Sequence, residues 1–232
     1  LIQVNDRPQW HTVTGGSRNY VRKMLAPIAN KYLLTPVQAV TRISMGNLDQ
    51  VQIVSSHGAQ LYDQVVLATH SDQALAMLQD ASDAERRVLS AVAYQPNRAV
   101  LHTDASCLPA HRNAWSAWNY ESATASEERV CVHYLLNQLQ PLPVKTPVIV
   151  SLNPIHEPDP ATVLGEFDYA HPVFDSAAIA AQRELPALQG TRNVWFAGAW
   201  TGYGFHEDGL KSGLSVAAAI ARLGQTQALR AA

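Results

Sequence analysis

The sequence is short of cysteine and of charge, and it lacks any long hydrophobic or basic run. Cys107 and Cys131 are its only cysteines. They form no C-x-x-C metal or redox motif, and a disulfide scaffold is not expected for a chain of 232 residues. A reducing compartment, the cytoplasm, is therefore the expectation. Charged residues make up only 16% of the chain against 47% hydrophobic ones, enough apolar side chain to bury a sizeable core and too much for a disordered tract. The formal net charge is -2 and the arginines are scattered, which argues against a nucleic-acid partner. No apolar stretch reaches the ~18 residues that span a bilayer, so membrane contact is expected to be peripheral if it occurs. No secretory leader is visible. The chain opens on Leu1 inside a polar stretch, and further sequence ahead of it is expected.

What is present is a mixture of helical and strand patterns. Residues 17–32, SRNYVRKMLAPIANKY, place Val21, Met24, Leu25, Ile28, Ala29 and Tyr32 at the three-and-four spacing of one helical face. Ser17 is positioned to cap that helix through its side-chain oxygen, and Pro27 is expected to kink or divide it. Strands are expected over 36–43, 51–55 and 61–69, with the apolar run from Val65 to Ala68 suiting a strand covered on both faces. A helix begins at Ser71 with Ala74, Leu75 and Leu78 inward. Further strands are expected within 98–105, 113–120, 129–139 and 147–152. Seven prolines from Pro141 to Pro172 mark a loop-rich connection. A helix over 174–185, a strand over 193–198 and a helix over 208–223 follow. The last helix is expected to bury Leu210, Leu214, Ala217, Ala218 and Ala221 and to stop at Gly224. The order reads as an α/β (α+β) protein with a discontinuous first domain, 1–83 and 173–232, and an inserted, aromatic-rich mixed sheet over 84–172.

The most specific stretch is FAGAWTGYGFHEDGLKSG, residues 196–213, with five glycines between a strand and a helix. Ligands of α/β folds bind where strands end and helices begin. Glycine lets the backbone approach a ligand and adopt positive φ, while a helix start offers free N–H groups and a partial positive charge. Phosphate is the usual occupant of such a start, but Glu207 and Asp208 in the first turn would repel it. A flat heteroaromatic ring that accepts N–H bonds from Phe205, His206 and Glu207 is compatible, with the acidic side chains pointing outward. A glycine-rich turn before an acidic helix start, with no ligand, is the alternative. Gly202-Tyr203-Gly204 does not open a G-x-G-x-x-G fingerprint, because Glu207 holds the third glycine's place, and none occurs elsewhere.

This stretch resembles the C-terminal flavin motif of the flavin-containing amine oxidoreductase superfamily. Other segments are similar to the same superfamily in the same order. WHTVTGGSRNYVRKM (10–24) resembles its Gly-Gly helix start. TPVQAVTRI (35–43) resembles the strand whose valine meets the FAD adenine, which maps to Val37, and YDQVVLATHSDQALAML (62–78) the strand returning to the FAD domain. GYGFHEDGLKSG, AVLHTDASCLPAHRNAWSAWNY, LLNQLQPL and AHPVFD narrow the resemblance to predicted NAD/FAD-binding oxidoreductases associated with cyclopropane-fatty-acid synthases.

The resemblance implies the C-terminal part of a two-domain FAD-binding fold, with non-covalent FAD. It places Val37, Gly198, Ala199, Gly204, Phe205, His206 and Glu207 against the cofactor. It also implies hydride transfer between flavin and a small-molecule or lipid acyl substrate, and a functional link to a cyclopropane-fatty-acid synthase. Oxidation of a small amine stays open, as does a non-catalytic accessory or lipid-binding role. The superfamily's N-terminal βαβ unit, which holds the diphosphate and ribose, is absent from this sequence. Ala199 and Trp200 follow Gly198 where many relatives carry an acidic or hydroxyl side chain, which leaves backbone contacts there.

A bound flavin accepts the hydride itself, so no protein nucleophile is required. His206 is the candidate proton partner, through its backbone N–H or its imidazole, and a purely structural His206 is the other reading. Trp115, Trp118 and Tyr120 are candidate walls of a substrate chamber, although aromatic strands are also ordinary sheet packing. No metal site is expected. His102, His111, His133, His156 and His171 form no i, i+4 pair, cysteine ligands are lacking, and His102 with Asp104 reads as a hydrogen-bonded pair. No G-x-S-x-G elbow supports a hydrolase.

Overall fold

The computed structural model describes residues 11–46, 48–122 and 130–231. In chain order its elements are α1 (Arg18–Leu25), β1 (Ala39–Met45), β2 (Leu48–Ser55), β3 (Gly58–Tyr62), β4 (Val65–Leu67), α2 (Ser71–Met77), α3 (Asp83–Ser90), β5 (Ala93–His102), β6 (Trp118–Ser122), β7 (Val130–Leu135), α4 (Leu136–Leu139), β8 (Ile149–Leu152), β9 (Val163–Val173), α5 (Ser176–Glu184), β10 (Val194–Phe196) and α6 (His206–Ala231). Two compact units result. One joins Leu34–Pro96 to Ala170–Ala232; the other joins Asn97–Tyr169 to the residues up to Leu33.

The first, here the glycine-loop unit, holds an antiparallel meander, β1-β2-β3, and a two-stranded parallel sheet, β10-β4. Val194, Trp195 and Phe196 lie opposite Val65, Val66 and Leu67. Val40, Val51, Leu67, Val88, Leu89, Val194 and Phe196 form its core with Ala178 and Leu185. β-branched and aromatic residues fill these strands because they pack well on a pleated surface. α3 begins with a reciprocal cap, in which Ser82 accepts the Glu85 N–H while the Glu85 carboxylate accepts the Ser82 N–H. The same carboxylate receives the buried Arg42 guanidinium, which also reaches Asp80 at 3.2 Å. A buried arginine needs such partners, since an unpaired charge there is costly.

The second, the histidine unit, is built on the sheet ordered β6-β7-β8-β5-β9, whose β6–β7, β7–β8 and β8–β5 pairs are antiparallel. Its apolar cluster is small: Leu108, Leu135 and Ile149, with Trp115 against them. Polar side chains fill much of the remaining interior.

Several expectations are corrected. The helical pattern over 17–32 yields a helix only as far as Leu25, with Ala26 still in helical backbone and Pro27, which brings no N–H to continue the ladder, just beyond, where a division was expected. Ser17 lies in helical backbone and makes no side-chain cap. The expected strand over 61–69 is two strands, β3 and β4, and Val66 is 41% exposed between its buried neighbours. α3 stands where no helix was expected. β9 crosses the supposed loop region, and β6 starts at Trp118 after a short turn of helix at Arg112–Ala114. α6 passes through Gly224 to Ala231 and turns the other way from expectation. Val216 is buried and packs with Ala219 and Ile220 on Trp195 and Ala197, whereas Leu210, Leu214, Ala217, Ala218 and Ala221 are exposed. Small residues on the buried side let the helix lie close to the strand.

Candidate functional site

In the glycine-loop unit, α6 is stitched to the end of β10. Ala197 N–H donates to Leu67 O at 3.0 Å, Gly198 N–H donates to Ser212 Oγ at 2.9 Å, and Ser212 Oγ donates to Gly209 O at 2.8 Å. One turn of 3-10 helix, Ala199–Thr201, buries Trp200, whose Nε1 donates to Thr69 O. Gly202 has to be glycine, since a Cβ there would lie 2.6 Å from the Asp208 carboxyl carbon. Gly204 takes φ +86°, in the left-handed region, and its N–H donates to Ala199 O at 3.0 Å.

Asp208 closes the loop. Its Oδ2 accepts the N–H groups of Tyr203 and Phe205, each at 3.0 Å. This corrects two expectations: Asp208 folds inward, and the Phe205 N–H is engaged by a carboxylate. Glu207 does lie on the outside, with Lys211 at 3.4 Å. His206 and Glu207 stand in the first turn of α6, where the helix supplies no carbonyl to their N–H groups. Tyr203 and Phe205 expose their rings beside them. Val37 packs, half-buried, on the core that contains Trp200. The structure thus gathers Gly198, Ala199, Gly204, Phe205, His206 and Glu207 into one loop and helix start. The donor set fits the ring of a flavin, through first-turn amides that the helix leaves without a carbonyl and through the exposed rings of Tyr203 and Phe205. It does not fit a diphosphate, because the side-chain charges of that first turn are carboxylates.

In the histidine unit the expected aromatic trio is divided, because only Trp118 and Tyr120 belong to β6. Trp118 and Tyr120 point to one face of β6, 55% and 73% exposed, with Tyr134 edge-on to Trp118 at 6.1 Å. Trp115 is separate. It packs on Leu108, Leu135 and Ile149, donates Nε1–H to Pro109 O, and carries the Arg112 guanidinium over its ring at 5.1 Å. Those contacts make it a packing residue.

The opposite face holds a chain of buried polar groups that sequence reasoning missed. His102 Nε2 lies 2.7 Å from Ser151 Oγ, and Ser151 Oγ lies 2.6 Å from His133 Nδ1. His133 Nε2 lies 2.9 Å from Glu121 Oε2, and Glu121 Oε1 lies 2.7 Å from Nδ1 of the exposed His156. Asp104 is bonded to His102, as expected, but through its backbone N–H to Nδ1. Burial lowers the pKa of His102. Asp104 is held below the usual carboxylate range by the N–H groups of Asp159 and Ser106. Burial pushes the thiols of Cys107 and Cys131 up to about 11. Glu121 is raised by burial but lowered further by His133 and His156, so it ends below the usual range. A depression of ≈ 620 Å³ opens beside β6, lined by Asp104, Cys107, Trp118, Tyr120, Glu121 and His156 among others.

By sequence, no family model and no curated protein matches this chain. By structure it is similar to a wild-type putrescine oxidase bound to putrescine, with a TM-score of 0.60 at 12% identity over 90% of this chain and 53% of that one. It is also similar to cyclohexylamine oxidase from Brevibacterium oxydans IH-35A, with a TM-score of 0.56 at 13% identity over 82% of this chain and 48% of that one. The likeness is one of fold, a mixed helix-and-sheet arrangement that matches part of each oxidase. The chain spans about half the length of these structures. Among the described residues, no helix is long and apolar enough to cross a membrane.

Proposed function

We propose that this chain is the ring-binding and substrate-binding portion of an FAD-dependent oxidoreductase. The observation that carries the reading is the start of α6, where a strand-end glycine is tied to the helix by Ser212 and the first-turn amides of His206 and Glu207 have no helical carbonyl to bond. Flavin bound there supplies the hydride acceptor. His206 and Glu207 N–H groups are assigned to the electron-rich edge of the ring, where they and the positive end of the helix favour negative charge. Asp208 holds the loop, and Gly204 supplies its left-handed turn, which a side chain would strain and press against Phe174. His206 is the candidate to carry a proton to or from that edge. Val37 is assigned to the adenine end through its backbone. The exposed row Leu210, Leu214, Ala217 and Ala221, with Val66 on β4, supports a seat for the βαβ unit that would hold the diphosphate.

Trp118 and Tyr120 are the proposed substrate walls. Their flat apolar surface suits a lipid acyl chain, the leading substrate class. The likeness to a putrescine oxidase and a cyclohexylamine oxidase supports a small amine as the second reading. Titration with lumiflavin and with FAD, read by flavin fluorescence, tests the site. Saturable quenching by both is expected, with no competition from ADP, loss in Gly204→Val and retention in Trp118→Ala. The absence of saturable quenching by either flavin overturns the reading. In flavin-loaded protein, anaerobic bleaching by unsaturated phospholipid or by amines separates the two substrate classes.

A further inference from the structure

We propose that Glu121, Cys131 and His133 form a site for a thiophilic divalent cation of the zinc type, with one coordination position open to the depression beside β6. This inference does not depend on flavin.

Its ligands come from two paired strands. Glu121 lies opposite Cys131 in the β6–β7 register, and Cys131 and His133 alternate onto the same face of β7. One ligand atom from each lies within 4.8 Å of the other two. Zinc bonds of about 2.3 Å to sulfur and about 2.0 Å to nitrogen place those atoms about 3.5 Å apart across a tetrahedral edge. Cys131 Sγ is 3.5 Å from His133 Nε2 and 3.8 Å from Nδ1, so a rotation of the thiol about its Cα–Cβ bond is needed to bring it to the Nε2 lone pair. Glu121 Oε2 is 2.9 Å from the same nitrogen, the length of the direct hydrogen bond that closes the site without an ion. Glu121 is the ligand with room to move, since its side chain is partly exposed while Cys131 and His133 are buried. A sulfur, nitrogen and oxygen set suits zinc or cobalt and not magnesium or calcium, which favour oxygen alone.

The surrounding hydrogen bonds prepare the ligands. Asp104 N–H fixes His102 Nδ1 as an acceptor, so His102 Nε2 carries its proton and donates to Ser151 Oγ. A serine hydroxyl both donates and accepts: without an ion Ser151 Oγ–H donates to His133 Nδ1 at 2.6 Å, and once a cation holds Nε2 its second lone pair accepts His133 Nδ1–H. That tautomer leaves the His133 Nε2 lone pair to the cation, and His156 steadies the carboxylate through Glu121 Oε1. On binding, Cys131 releases its thiol proton to solvent, and the proton of neutral His133 resides on Nδ1 instead of Nε2. His102, Cys107 and His133 are also mutually close. Yet His102 has one nitrogen occupied by Asp104 N–H and a proton on the other, so it is a poor ligand.

Cobalt titration of the chelator-treated chain tests the site by absorption. The expected result is one equivalent bound, with the visible bands of tetrahedral Co²⁺, a thiolate-to-cobalt charge-transfer band in the near ultraviolet, and displacement by Zn²⁺. Cys107→Ala leaves Cys131 as the only thiol, so the charge-transfer band must persist there. Cys131→Ala must lose it while keeping the wild-type circular dichroism, and Glu121→Gln is expected to weaken binding at least tenfold. No charge-transfer band in the wild type, or its loss in Cys107→Ala, overturns the proposal. The Cys107→Ala measurement decides the matter even if Cys131→Ala fails to fold.

Discussion

Phe196 and Ser151 are both fully buried, one in each unit, and they act in opposite ways. Phe196 fills volume among Val40, Val194 and Leu89 and makes no side-chain hydrogen bond. Ser151 is small, and its importance lies in two hydrogen bonds to histidine rings. The glycine-loop unit is thus held mainly by apolar burial, which is non-directional and tolerant of change in its loops. The histidine unit has few buried hydrophobics and relies on direction. Among the described residues, each of its buried polar side chains has a partner, and losing one strands another in a low-dielectric interior. A polar interior is a weak route to stability but a good way to hold side chains in a fixed geometry.

The sharpest way to break the comparison is to remove volume from the first unit. Phe196→Ala is expected to cost about 3–5 kcal/mol, read by urea unfolding, because the site sits at the centre of a packed core. Ser151→Ala removes little volume and is expected to cost about 2 kcal/mol by the same measurement, since two ring nitrogens lose a partner. A cost near zero would mean that direction matters less than argued. Ser82→Ala removes the cap of α3 and is expected to cost about 1 kcal/mol, with the loss confined to the glycine-loop unit in hydrogen exchange.

The smallest expected effect is a pH dependence of the histidine unit. His102 is buried with its pKa lowered, so the unfolded chain binds the extra proton first. Stability therefore falls as pH drops below the ordinary histidine value of about 6.5. Asp104 is depressed in the folded state, so its contribution is present above the ordinary value of 3.8 and is lost as pH falls through the lower folded value. Denaturation midpoints measured across this range should show the histidine loss first, and His102→Gln should flatten it.

How much of this was legible in the sequence follows from the range of the forces involved. β1, β2, α2, α5 and β10 were readable because their patterns are local. α3 carried a local signal too, in Ser82-Asp83-Ala84-Glu85, a capping-box spacing that deserved a helix. The orientation of α6 was not readable. Leucine spacing pointed to one face, but tight packing on Trp195 and Ala197 selected the side with Gly209, Ser212 and Val216. The glycine loop was recognisable from composition, while the inward turn of Asp208 depends on the space left by Gly202. The histidine chain was illegible for a different reason. His102, Glu121, His133, Ser151 and His156 are scattered over more than fifty positions, and only the antiparallel register of β5, β6, β7 and β8 brings most of them together.

The outward row on α6 also governs how the purified chain behaves as a solute. Leu210 and Leu214 lie a turn apart, with Ala217 and Ala221 continuing the line, and a net charge of -2 offers little repulsion between copies. Sedimentation is therefore expected to give an apparent mass that climbs with concentration, and a single Leu214→Glu change is expected to hold it down. Storage conditions and yield would then be set by one stripe of a single helix.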